Sequence, residues 1–211
     1  IVLTGAMRPA TALAADGPAN LLHAVAVAAH PSSAGRGVLV VMNEEIHSAR
    51  DVAKVHAARL DAFASPHGPL GLVAEGAPRW YRALTRPHTT ASDFDIAALD
   101  ALPLVGVVTS HGNMRAEIHD AWVAQGARAI VHAGFGGGTV PDYLKARLAA
   151  LRARGVLLVR ASRTGAGALV RNANADDDAH GWVVTDDQNT PRDRLLAALA
   201  LTRKQAAHAI Q

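Results

Sequence analysis

From residue 104 onward, short apolar runs alternate with segments of helical length, and this alternation restricts the fold more than any other feature of the chain. Residues 104–109, 129–132 and 156–160 are apolar runs of strand length. Between and after them, residues 115–125, 141–154 and a segment from about Pro191 have helical length and polarity. Strands separated by whole helices cannot pair as tight hairpins, so the pattern predicts parallel strands joined by helical crossovers. The first 84 residues carry a weaker version of the same pattern. A strand over 1–4 is followed by the loop Gly5-Ala6-Met7-Arg8-Pro9, and a helix opens at Asp16-Gly17-Pro18 and runs to about Ala29. Asp16 is placed to accept an orphan amide hydrogen bond, and Pro18 suits a first turn. Pro31, Gly35 and Gly37 then turn the chain into a strand over 38–42, and Glu75-Gly76 reads as a hairpin turn between short strands around Gly71-Leu72-Val73 and Trp80-Tyr81.

These readings predict an α/β protein. Residues 1–84 form a parallel-sheet α/β piece of an incomplete N-terminal domain, polar residues 85–102 a linker, and residues 103–211 a small doubly wound domain. Half of the residues are hydrophobic and only 18% are charged, which fits a folded chain. The formal charge of +3 comes from scattered arginines, and only 3 Trp, 2 Tyr and 3 Phe are present. Nucleic-acid binding needs a clustered basic stripe with stacking aromatics, so that class is excluded as an expectation. The absence of cysteine removes disulfides, thiolate zinc sites and cysteine nucleophiles. No uninterrupted apolar stretch has membrane-spanning length, so no membrane partner is expected. The chain opens on Ile1-Val2-Leu3, which reads as the middle of a buried strand, and this predicts sequence upstream.

Candidate chemistry is sparse. The 11 histidines are scattered singly, without the spacing of a metal site, and no cofactor or metal is expected. Asp176-Asp177-Asp178 lacks the alternation of a calcium loop and reads as a cap, a solvated turn or a partner for an arginine. Gly134-Phe135-Gly136-Gly137-Gly138 follows a strand but lacks the Lys-Ser/Thr of a P-loop, and Pro141 stands where the third glycine of a dinucleotide loop would fall. It remains either a tight turn or a ligand loop. Lys54 is one of three lysines in a chain that supplies nearly all its positive charge as arginine. Unlike arginine, a partly desolvated lysine can shuttle a proton.

Particular words carry more than these patterns. Val2-Leu3-Thr4-Gly5-Ala6-Met7-Arg8-Pro9, Ala15-Asp16-Gly17-Pro18, Arg36-Gly37-Val38-Leu39-Val40-Val41-Met42-Asn43, Arg50-Asp51-Val52-Ala53-Lys54 and Gly68-Pro69-Leu70-Gly71 resemble bacterial type II L-asparaginase. Phe94-Asp95, Leu102-Pro103, Ala133-Gly134-Phe135-Gly136 and Arg163-Thr164-Gly165 continue the resemblance in order. It implies two flavodoxin-like domains, a homotetramer, and hydrolysis of the side-chain amide of L-asparagine, or also of L-glutamine, through a threonine acyl-enzyme. Lys54 is implied as the catalytic lysine, and the backbone of Ala6 as lining the substrate amide. Thr139 and Asn174 align with residues that the partner subunit's small domain contributes to the substrate site. Type II relatives are commonly exported, which favours a periplasmic location. The glycine-rich N-terminal signature with its nucleophilic threonine, and the later Gly-Thr-Asp-Thr motif, have no counterpart here. The nucleophile is therefore expected from a segment outside these residues. Two other readings stay open: a catalytically inactive remnant with a structural or oligomerisation role, and a binding domain that takes a phosphorylated ligand at the glycine loop.

Overall fold

The computed structural model describes residues 1–97 and 99–203; Ala98 in the expected linker and the end of the second domain, 204–211, lie outside the described residues. The chain divides into two compact units, Ile1–Ser92 and Asp93–Gln211, and the α/β class expected from the sequence holds.

In the first unit, β1 (Val2–Leu3) leads through an irregular loop to α1 (Gly17–Ala29). Then follow β2 (Leu39–Met42), β3 (Glu45–Ser48), a small separate ladder of β4 (Ala53–Lys54) with β5 (Phe63–Ala64), and β6 (Gly71–Ala74) with β7 (Ala77–Trp80). The main sheet has the order β1-β2-β3-β6-β7. Only β1–β2 is parallel; the other three pairings are antiparallel. The sheet of this unit is therefore mixed, which corrects the expected parallel-sheet piece. The cause is local. Asn43 and Glu44 both take positive φ, 49° and 66°, which makes a two-residue reversal between Met42 and Glu45. The strand Glu45–Ser48 has the mixed composition of a loop, and its Ile46 and His47 are nonetheless buried. The expected hairpin at Glu75-Gly76 is present, with Ala74 facing Ala77. The core gathers Ala24 and Val27 of α1 against Leu39, Val41, Ile46, Leu70 and Val73. Among the described residues β1 pairs only with β2, and Leu3 is half exposed.

The second unit follows the alternation closely. β8 (Val105–Thr109), α2 (Glu117–Ala124), β9 (Ala129–Gly134), α3 (Asp142–Ala153), β10 (Leu157–Ser162), α4 (Asp177–His180), β11 (Val183–Val184) and α5 (Thr190–Ala200) build an all-parallel sheet in the order β11-β10-β9-β8. Both faces of this sheet are covered, as parallel sheets require. Ala129 and Val131 point toward α5, where Ala197, Ala198 and Ala200 allow close approach. Ile130 points the other way, into a cluster with Val108, Leu144, Leu148, Leu151 and Trp182. Gly106 lets Trp122 lie flat on β8, because a Cβ there would sit 2.5 Å from Trp122 Cγ. Two short elements, α4 and β11, come from the Gly/Asn/Asp-rich stretch that reads as loop in the sequence.

Candidate functional site

The loop after β1 is fixed by two side chains, Asp16 just before α1 and Asn20 in its first turn. Asp16 precedes the helix, yet its carboxylate makes no cap to the helix amides. It turns back instead, accepting from the backbone N–H of Met7 at 2.8 Å and of Arg8 at 2.9 Å. These bonds, that to Met7 foremost, hold the Asp16 carboxyl below the usual carboxylate range. Asn20, 3% exposed, donates to Gly5 O and Asp16 Oδ2 and accepts from the N–H of Asn43 at 2.9 Å. Thr4 Oγ1 donates to Val41 O at 2.7 Å. Ala6 is thus an exposed residue whose two neighbours are both tied down, Gly5 through its carbonyl and Met7 through its amide.

Lys54 lies elsewhere in the same unit, on β4, opposite Phe63. Its side chain is exposed.

In the second unit, two loops distant in sequence meet. The 134–139 loop closes on itself, with Phe135 and Thr139 exchanging backbone hydrogen bonds at 3.2 and 2.8 Å. Thr139 and Asn174 are both exposed, and Asn174 Nδ2 donates to Gly137 O at 2.9 Å. Beneath them lies Arg160, 1% exposed. Its guanidinium pairs with Asp177 through Nε–Oδ1 and Nη2–Oδ2, each 2.7 Å, while Nη1 donates to Gly137 O and Nη2 to Val170 O. Asp177 Oδ2 also accepts from the N–H of Asn172. Ser162 Oγ donates to Gly136 O at 2.6 Å. Gly138, at φ +82°, has no room for a side chain: a Cβ would stand 2.8 Å from Arg160 Nη1. The acidic triplet divides its work. Asp176 caps α4 through Ala179 N, Asp177 takes Arg160, and Asp178 takes Arg171.

A second polar array is fully enclosed. Ser110 Oγ lies 2.9 Å from His132 Nε2, His132 Nδ1 lies 3.0 Å from His119 Nε2, and His119 Nδ1 lies 3.0 Å from Ala116 O. A carbonyl only accepts, so His119 Nδ1 carries a proton, His132 Nδ1 donates to His119, and the Ser110 hydroxyl donates to His132. Every link is then satisfied with both rings neutral. Burial, reinforced by the neighbouring His119, pushes His132 down to about 4. Ser110, His119 and His132 are at most 2% exposed, so this array meets no substrate and serves the interior.

Sequence reading placed Thr139 and Asn174, but it missed Asn20, Arg160 and the Ser110–His132–His119 chain. Arg160 left a signal, as the one charge closing the apolar run Val156-Leu157-Leu158-Val159. A charge in a buried strand implies a buried partner. The histidines gave none, because His119 and His132 come together only through the crossover.

The comparisons with known proteins cover both units. Residues 1–86 match the family model "Asparaginase, N-terminal", and residues 104–211 match "Glutaminase/Asparaginase C-terminal domain". The chain is 45% identical over its full length to a glutaminase-asparaginase of Pseudomonas aeruginosa, covering 59% of that protein. It is 40% identical to a probable periplasmic L-asparaginase of Haemophilus influenzae and 39% identical to L-asparaginase 2 of Escherichia coli, in each case over the whole chain and 61% of the relative. It thus spans about three-fifths of the length of these relatives. With both family domains matched in order and identity well above the level of shared fold alone, the chain belongs to the asparaginase family.

Proposed function

We propose that the complete protein hydrolyses the side-chain amide of L-asparagine to L-aspartate and ammonia, with L-glutamine as a second substrate, and that this chain supplies substrate-binding surfaces. The observation that carries this reading is the pinned Gly5-Ala6-Met7 loop in a chain of this family. Gly5 is held by Asn20 and Met7 by Asp16, so the Ala6 backbone offers hydrogen-bonding groups whose position does not relax when an amide substrate arrives. In the proposed reaction a threonine from a segment beyond these residues attacks the amide carbon. Its proton passes to the leaving nitrogen, ammonia departs, and water releases aspartate from the acyl-enzyme.

Thr139 and Asn174 are proposed to complete the site of a neighbouring subunit in a homotetramer. Asn174 commits its Nδ2 inward to Gly137, so Oδ1 is the atom it can offer to a substrate ammonium. The relative named as periplasmic supports that compartment for this protein.

Lys54 is proposed as the catalytic lysine, passing the proton between the threonine and the leaving nitrogen beside the segment beyond these residues. It stands on β4 opposite Phe63 with its side chain exposed. Lys54→Met in the full-length protein is expected to abolish turnover while leaving the fold intact; a near-normal rate would remove the lysine from the catalytic set.

Ammonia release from asparagine by the full-length protein tests the main reading. Absence of turnover in a folded, intact protein would overturn it in favour of a structural or oligomerisation role. For a phosphorylated ligand at the glycine loop, the Phe135 and Thr139 amides are not free donors, since each donates to the other's carbonyl.

A further inference from the structure

Arg160 has an unusual distribution of bonds for a buried arginine. Its charge is met by Asp177, but two of its donors go to backbone carbonyls on two separate loops, Gly137 O at 2.8 Å and Val170 O at 3.0 Å. Asp177 repeats the pattern from the other side, binding Arg160 with both oxygens and accepting from the N–H of Asn172. The pair thus sits where the 134–139 loop, β10 and the 170–177 segment converge. The exposed Asn174 adds a second donor to the same Gly137 carbonyl. Neither loop has regular secondary structure over these residues, so these bonds are what fixes one against the other.

We propose that Arg160, locked by Asp177, is the positioning residue of this surface: it sets the separation of Thr139 and Asn174 by holding both of their loops through backbone carbonyls. The proposal rests on the reading of Thr139 and Asn174 as substrate contacts. Lysine cannot replace arginine here. A single ammonium has no planar fork to fill Asp177 while also reaching Gly137 and Val170. Arg160→Lys therefore keeps the charge and loses the geometry. Arg160 touches no substrate in this scheme, so its loss acts on binding before it acts on chemistry.

The test compares the full-length wild type with Arg160→Lys and Asn174→Ala by amide hydrogen exchange and by asparagine kinetics. In Arg160→Lys, exchange in 134–139 and 170–176 is expected to rise by about tenfold or more while β9 and its neighbours stay protected. KM is expected to rise by about tenfold, with kcat changed by less than about twofold. Asn174→Ala, at an exposed position, removes one donor and keeps the fold; a smaller rise in exchange at Gly137 and Gly138 and in KM is expected. Unchanged exchange in both variants overturns the clamp. Loosened loops with unchanged KM overturn its positioning role. If the wild type does not release ammonia, the amidohydrolase reading fails separately, and the exchange data still decide whether Arg160 organises the two loops.

Discussion

The loop after β1 and the loop after β9 are both irregular backbone that has to be held in one shape, and they are held with opposite polarity. In the first, a half-buried anion, Asp16, gathers the amides of Met7 and Arg8, and the neutral Asn20 connects that arrangement to Gly5 and Asn43. In the second, a fully buried cation, Arg160, gathers the carbonyls of Gly137 and Val170 with its charge cancelled by Asp177. The difference has an energetic consequence. A carboxylate near solvent can lose partners and be rehydrated, whereas a buried guanidinium cannot. The second loop is the more rigidly specified and the more costly to disturb.

The strongest way to break this comparison is to remove the cation. Arg160→Met leaves the buried Asp177 without its cation and is expected to destabilise the second unit by about 3–5 kcal/mol, read by denaturant unfolding. A loss below about 1 kcal/mol would mean that the pair behaves like a surface ion pair and that the asymmetry is false. In the first unit, Asn20→Ala strands Gly5 O and the Asn43 amide, with an expected cost of about 1–3 kcal/mol. If Asn20→Ala proved the more damaging of the two, the ranking would be inverted.

A pH series sharpens the contrast further, because the second unit contains opposing buried titrations. His119 and His132 are held below the ordinary histidine value by burial, His132 at about 4. Their contribution is complete above about pH 6.5, and is lost as the pH falls toward His132's folded value. Asp193 behaves oppositely. It is fully buried, no hydrogen bond of normal geometry reaches its oxygens, and burial pushes it up to about 7, with Asp187 adding to the rise and Thr185 offsetting part of it. Its favourable, protonated state is complete below its ordinary value and is lost as the pH rises through about 7. The two slopes oppose each other between roughly pH 4 and 6.5. Asp193→Asn is expected to raise stability at neutral pH and to expose a fall on acidification across that window. Replacing both histidines with leucine should leave a stability that rises on acidification. Melting temperatures across the window check both signs, and parallel profiles for the two variants would refute the assignment.

The smallest expected effect belongs to the first loop. The depressed Asp16 carboxyl contributes stability that is present above about pH 4 and fades as the pH falls through its lower folded value. Amide exchange at Met7 and Arg8 should therefore quicken only in acid, and Asp16→Asn should remove that dependence.

Much of the second unit was legible in the sequence because its helices and strands are decided by local periodicity. The strand expected at 129–132 became Ala129–Gly134, and the helix expected at 141–154 became Asp142–Ala153. The first unit was less legible. Glu45–Ser48 has no apolar alternation of its own and becomes a strand only because Asn43 and Glu44 fold it back onto β2. Asp16 was recognised as an acceptor, but its partners lie in the preceding loop and not in its own helix. Lys54 was singled out by residue type and by the words around it, and it stands exposed on β4.

By itself the sequence determined the α/β class, the order of the second unit's elements, the loops that carry Ala6, Thr139 and Asn174, and the family. These follow from patterns within a few residues or from words that survive as words. Only the tertiary structure decided which distant groups meet: Asn20 with Gly5 and Asn43, His119 with His132, and Arg160 with Asp177 and two loop carbonyls. Such meetings leave little trace in the chain. A buried polar group is satisfied by whatever the fold brings within about 3 Å, and that distance carries no sequence period.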